Sequence, residues 1–319
     1  MARLLTFFLF FVSTFLSSTL SSAERYDRAR ELLGAMSRSI HELNYRGLFT
    51  YEVGGVLDNY KIIHQVRGDA EYERLQKLNG SEKEILRSGF SKNCLNRGDQ
   101  FFRGISDDIN SQINSAEKYL YHLTGRGRVA GRDALTIQVL PKDAHRYGYV
   151  FYVDELTSLP LQVLMIDSTK KILERIQFVD LEVGISIDET ELLPRSSSST
   201  SLTGTHIECR DNENKAESFP SGADFSWNAS WVPSGYTFLN ARKTRSDDNM
   251  LTYSDGLSSF SIVIGPNRLF PAVEGRARMG GMTAFIKQHK VEQALFSITV
   301  LGEIPMVTAQ KIAESVEKR

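Results

Sequence analysis

Two tetrads, Ser115-Ala116-Glu117-Lys118 and Ser168-Thr169-Lys170-Lys171, carry the Ser-x-x-Lys spacing that sets a lysine amine beside a serine nucleophile in one class of hydrolases. The companion motifs of that class are missing, and the second tetrad falls in an expected hairpin turn. The six histidines, His41, His64, His122, His145, His206 and His289, are scattered, with neither a His-Glu-x-x-His helix nor a pair at metal-ligand spacing. His41-Glu42 closes an expected helix and reads as solvated surface. There is no Gly-x-Ser-x-Gly elbow and no phosphate-binding glycine loop. No catalytic residue, metal ligand or cofactor site is therefore assigned. Asn79-Gly80-Ser81 and Asn228-Ala229-Ser230 match the glycosylation acceptor pattern, which matters only in a eukaryotic secretory host.

Binding is the stronger reading, and it rests on aromatic residues. Tyr147, Tyr149, Phe151 and Val153 share one face of an expected strand, and Phe101-Phe102 is an apolar pair in polar surroundings. The elements around them are legible from periodicity. Asp27 can cap a helix whose stripe is Ala29, Leu32, Leu33, Met36, Ile40 and Leu43. Then the period changes. Segments 45–53, 56–66, 70–78 and 82–88 are separated by Gly54-Gly55, Gly68-Asp69 and Asn79-Gly80, the pattern of an antiparallel meander. A short helix over 107–117 precedes a second series of strands at 119–124, 134–140, 146–154, 161–166 and 172–183. In the last of these Ile176 and Phe178 share one parity and Leu181 and Val183 the other, which predicts a bulge near Val179-Asp180. A sheet bent there, with the first helix along it, makes a half-barrel with a concave apolar pocket, the usual form of a lipid or small-ligand site. Phe101, Phe102, Tyr147, Tyr149 and Phe151 are the candidates for lining it.

The 319-residue length suggests two domains, and the net charge of −1 gives no reason to expect a nucleic-acid surface. Residues 1–23 read as a cleaved signal peptide: Arg3, an apolar core over 4–16, then Ser21-Ser22-Ala23. A soluble, exported protein is expected. Cys94 and Cys209 are the only cysteines, and their separation in sequence does not decide between a disulfide and two free thiols. Composition shifts at Pro194. The expected organisation is a large domain over 24–194, a Ser/Thr-rich and polar linker over 195–221, and a small domain over 222–319. In the small domain Pro233-Ser234-Gly235 suggests a type I turn with proline at its second position, and Asp255-Gly256 a two-residue type I′ hairpin turn. Residues 268–281 read as a loop, 282–290 and 294–301 as strands. Ala309, Ile312, Ala313 and Val316 form a closing helical stripe.

The stretch Trp231-Val-Pro-Ser-Gly-Tyr236 followed by Tyr253-Ser-Asp-Gly-Leu-Ser-Ser-Phe-Ser-Ile262 resembles the C-terminal domain of the RseB/MucB family. Arg128–Arg132, Arg146–Gln162 and the segment 298–316 fit the same family in the same order, so the resemblance covers nearly the whole mature chain. It implies an α+β fold, mainly antiparallel β, with a lipoprotein-carrier-like half-barrel and a smaller sheet-and-helix domain. It also implies a periplasmic negative regulator that is not an enzyme. Such a protein would bind the periplasmic segment of a single-pass membrane anti-sigma factor and shield it from regulated proteolysis, with lipopolysaccharide or another acylated ligand acting on the large domain. Trp227, Trp231, Pro233, Arg242 and Tyr253 become the candidates for holding that partner. Segments 93–117 and 196–214 match the family least. A lipid or lipoprotein carrier is the alternative, supported by the large domain but leaving the small one unexplained. Assembly into a homo-oligomer is left open.

Overall fold

The computed structural model describes residues 22–91, 118–195, 199–203, 226–268 and 273–318. Phe101, Phe102, Cys94, Cys209, the expected helix over 107–117, most of the expected signal segment and most of the expected linker lie outside them.

The large domain is a ten-stranded sheet curled around one long helix, α1 (Ser22–Glu42). Its first meander is β1 (Tyr45–Val53), β2 (Val56–Arg67), β3 (Ala70–Lys77) and β4 (Glu84–Ser91). A second runs through β5 (Tyr119–Val129), β6 (Arg132–Pro141), β7 (Gly148–Asp154), β8 (Pro160–Ile166) and β9 (Ile172–Val183). The two join where β1 pairs antiparallel with β9. A short strand, β10 (Ser199–Thr203), adds parallel to β4, so part of the expected linker belongs to the sheet.

The phase slip in β9 is a bulge: Leu48 faces Asp180, Phe49 faces Phe178, and Val179 is skipped. The crowding there leaves no room for a side chain at position 47, where a Cβ would lie 2.7 Å from both the Phe178 ring and the Asp180 carbonyl. Glycine lets the aromatic ring cross over β1, and the bulge bends the strand inward.

The apolar stripe of α1 is buried as its spacing predicts, with Ala29, Leu32, Leu33, Met36 and Ile40 in one core with Phe49, Ile137, Phe151, Leu161 and Phe178. The helix's last turn departs from expectation. His41 is buried, not solvated: its Nδ1 lies 3.0 Å from Glu71 Oε1, and Glu71 Oε2 lies 3.4 Å from His64 Nε2. The concave face thus carries a buried polar cluster at this end, which ties the end of the helix to β2 and β3 beside the apolar packing of Ile40 and Ile62.

The small domain is a six-stranded antiparallel sheet, in the order β12 (Thr237–Lys243), β13 (Asn249–Ser254), β14 (Ser259–Pro266), β17 (Ala294–Gly302), β16 (Met282–Val291) and β15 (Gly275–Met279). Strand β15 occupies part of what the sequence suggested was loop. One face packs against α2 (Met306–Glu314) and the two-stranded pair β11 (Trp227–Ala229) and β18 (Val316–Lys318). Phe260, Ile262 and Ile264 are buried in that core, alternating with half-buried Ser261 and Val263.

Two turns differ from the sequence reading. Tyr236 N–H donates to the Pro233 carbonyl, and Gly235 has φ +94°, so proline opens the turn and glycine takes the third position as a type II turn requires. Between β13 and β14 the loop has four residues, and only Gly256 is left-handed (φ +96°). The Asp255 carboxylate accepts from the amides of Leu257 and Ser258 at 3.0 and 2.9 Å, satisfying donors that a two-residue turn would have put in the ladder.

Candidate functional site

Three of the residues singled out in the sequence, Tyr147, Tyr149 and Trp231, lie where the two sheets meet. Arg146, in the loop before β7, is buried and makes three contacts. Its Nε donates to Asp255 Oδ2 at 2.5 Å, one terminal nitrogen donates to Asp143, and the other to the Ser234 carbonyl at 2.5 Å. The guanidinium also lies 4.7 Å from the centre of the Tyr236 ring. Asp255 Oδ2 accepts the Tyr119 phenol as well, at 2.9 Å. The small domain's hairpin loop is therefore bolted into the large domain by a carboxylate whose two oxygens take four hydrogen bonds.

Electrostatics hold the proton on Arg146 and on the two phenols beside it. Burial works against the charge of Arg146, but Asp255, Tyr236 and Tyr119 around it hold its pKa above the usual arginine value. Burial, reinforced by the Asp255 charge, pushes the Tyr119 and Tyr236 phenols well up, so both keep their protons. A buried ion pair adds little net stability, because desolvation offsets attraction, but losing one partner typically costs about 3–5 kcal/mol. Its effect here is on register: one arrangement of the two domains satisfies every group.

Beside the bolt, Leu257 enters the large domain's core, and its carbonyl accepts the Tyr149 phenol at 3.1 Å. Tyr147 donates to the Ile304 carbonyl at 3.2 Å, and His145 Nδ1 lies 3.1 Å from the Thr308 hydroxyl at the start of α2. The His145 ring meets Trp231 edge-on at 5.2 Å, and Lys311 Nζ sits 3.9 Å from the centre of that indole. At the far end of the seam the turn between β15 and β16 fits against β9, where Gly281 N–H donates to Glu174 Oε1 at 2.7 Å.

The aromatic candidates take distinct places. Phe151 is fully buried under α1, Tyr149 is buried and stacked at 6.0 Å from it, and Tyr147 is buried at the seam. A narrow crevice lined by Ile40, Tyr45, Leu159, Pro160 and Phe178 remains under the helix. Of the partner candidates, Trp227 and Tyr253 belong to the small domain's core, where Trp227 meets Phe296 edge-on at 4.9 Å, and Pro233 is buried. Trp231 is half-buried at the seam, and Arg242 is exposed on the edge strand β12. The structure thus brings Tyr147, Tyr149 and Trp231 together and leaves Arg242 apart.

Arg146, Asp255, Leu257, Tyr119 and Glu174 are seam residues the sequence reading did not assign. The signal was present, since an arginine heads the aromatic run of β7 and an aspartate interrupts the apolar strands of the second hairpin. Nothing in the spacing joins them across 109 positions. Among the described residues no group of three His, Cys, Asp or Glu is placed to hold a metal ion, and no helix is long and apolar enough to cross a membrane.

Family models for the MucB/RseB N-terminal domain and the MucB/RseB C-terminal domain match residues 28–196 and 221–317. The sigma factor AlgU regulatory protein MucB of Pseudomonas aeruginosa is 29% identical over 308 residues, 90% of each chain. The sigma-E factor regulatory protein RseB of Escherichia coli K12 is 27% identical over 304 residues, 90% of this chain and 89% of that one. Two solved structures are similar over both domains. MucB in complex with MucA(peri) has a TM-score of 0.72 at 29% identity, covering 91% of this chain and 99% of that one. The MucA/MucB complex of Pseudomonas aeruginosa has a TM-score of 0.74 at 28% identity, covering 92% and 99%.

Proposed function

Because the chain belongs to the MucB/RseB family, we propose that it is a periplasmic negative regulator that holds the periplasmic segment of a membrane anti-sigma factor and hides it from proteolysis. The observation that carries this reading is the likeness, across both domains, to a MucB structure containing MucA(peri). Regulation of this kind needs no covalent step, only a peptide bound in one state of the protein and released in another. Trp231 and Arg242 are the partner candidates with surface to offer, whereas Trp227, Pro233 and Tyr253 support them from inside.

An acylated ligand is the second half of the proposal. Tyr147, Tyr149 and Phe151 would line its site, entered where α1 or Leu257 gives way, and each buried CH₂ contributes about 0.8 kcal/mol. The seam links the two events, since the same strand carries the acyl-facing rings and the phenols that hold the small domain. A ligand that displaced Leu257 would also loosen the bolt, and by linkage the anti-sigma segment would weaken lipid binding in return.

The test is a calorimetric titration of the mature chain with the synthetic periplasmic segment of an anti-sigma factor from the same genome. It is followed by protease challenge of the complex with and without lipopolysaccharide. Binding, protection, and loss of protection on adding lipid are expected. Absence of binding contradicts the regulatory reading, and protection indifferent to lipid contradicts the sensing half.

A further inference from the structure

The far end of the seam holds two carboxylates, one from each domain. Glu174, half-buried on β9, accepts the Tyr51 phenol at 2.8 Å and the Gly281 amide at 2.7 Å. The turn that supplies this amide is fitted closely. Gly280 has φ +60°, a Cβ there would lie 2.5 Å from Val53 and 2.6 Å from Glu174 Oε1, and one at Gly281 would lie 2.1 Å from Met165 Sδ. Glu303, half-buried after β17, is fixed on the same side of the small domain. Its own amide donates to Ser259, and the carbonyl of its neighbour Ile304 accepts Tyr147 across the seam.

Glu174 is solvated by two donors, but among the described residues no donor or cation stands against the Glu303 carboxyl. Glu174 of β9, Tyr51 of β1 and Tyr149 of β7 lie within electrostatic reach of it, the carboxylate opposing its charge and both phenols feeling it. The cations and the other charged groups nearby are committed elsewhere. Arg278 lies beside Tyr147 and Asp167, Arg175 pairs with Glu52 at 3.8 Å, and Arg146 is held by Asp255 and Asp143. An ionised Glu303 in the closed seam would be a second, unsolvated negative charge beside Glu174.

We infer that Glu174 and Glu303 make the contact between the two domains tighter in acid and looser in alkali, so that the small domain's freedom reports the acidity of its compartment. Burial first, and then the Glu174 charge, push the Glu303 carboxyl up from 4.5 to about 7. The docked form therefore binds this proton more tightly than the undocked form. Docking is strongest where both forms are protonated, weakens as pH rises through the interval between the two values, and has lost this contribution above the docked value. One proton is involved, so docking weakens about tenfold between about pH 6 and pH 8. The inference holds whether or not the chain binds an anti-sigma segment, and it adds a second input if it does.

Deuterium exchange of the full mature chain, corrected for the intrinsic pH dependence of amide exchange, tests it in peptides containing Leu257 and Gly281. Wild-type protection should fall about tenfold between about pH 6 and pH 8, whereas Glu303→Gln should be protected equally at both. Glu174→Gln keeps an acceptor for Gly281 but removes the charge, and its response should shrink. Wild-type protection that does not change with pH overturns the inference. So does a full wild-type response in either folded variant.

Discussion

The half-barrel interior and the seam draw on the same strand, β7, and solve opposite problems with it. Under α1, Phe151 shares one core with Ala29, Leu33, Ile137 and Leu161, and apolar packing is non-directional. Two residues away Tyr149 shares that apolar surface with its ring but spends its hydroxyl on a carbonyl of the other domain. At the strand's head Arg146 has no apolar function and is satisfied only by groups placed at fixed angles around it. The interior fixes that the sheet closes on the helix. The seam fixes which arrangement of two sheets results, because a shift of one residue would strand Asp255 and leave Arg146 with Asp143 alone. A polar junction of this sort can be opened by a change of charge or by an inserted ligand, whereas a packed core yields only to bulk.

The contrast can be broken most forcefully in the interior. Phe151→Ala should cost about 3–5 kcal/mol, the range for deleting a buried aromatic ring, and should lower the midpoint of the protein's unfolding transition with little effect on local opening of the seam. Chemical denaturation followed by far-UV circular dichroism, with exchange at Leu257 as the seam readout, checks both halves.

A smaller change sharpens it from the other side. Tyr149→Phe leaves the ring in the core and removes only the hydrogen bond to Leu257, so the expected loss is about 1 kcal/mol. It should appear as faster exchange in the 255–258 loop while the midpoint of global unfolding barely moves. An equal loss in both readouts would mean that the hydroxyl supports the core and not the junction.

What the sequence revealed follows the same division. The helix stripe, the meander and the bulge at Val179 were legible because each is a local pattern of apolar residues, and burial enforces it. His41 was misplaced because a histidine at a helix end looks solvated until Glu71, thirty positions away, arrives beside it. The Asp255 loop was misread because Asp-Gly favours a two-residue turn locally, while the aspartate's side chain and its docking on Arg146 select a four-residue loop. Pro233 was set one position off in its turn for a related reason: its carbonyl is needed by Tyr236, and the Ser234 carbonyl by Arg146. Patterns of polar pairing between distant segments carry no period, so the seam was the part of the molecule that spacing could not supply.

Through its pairing with Arg146, Asp255 makes two sheets into one cooperative body. Scanning calorimetry of the mature wild type and of Asp255→Ala at one pH tests it directly. The wild type should unfold in a single transition whose calorimetric and van't Hoff enthalpies agree. The variant leaves buried Arg146 with Asp143 but without the carboxylate of the other domain, a loss of about 3–5 kcal/mol at the junction, and should unfold in two transitions, one for each sheet. Two transitions in the wild type, or one undivided transition in the variant, would contradict the claim.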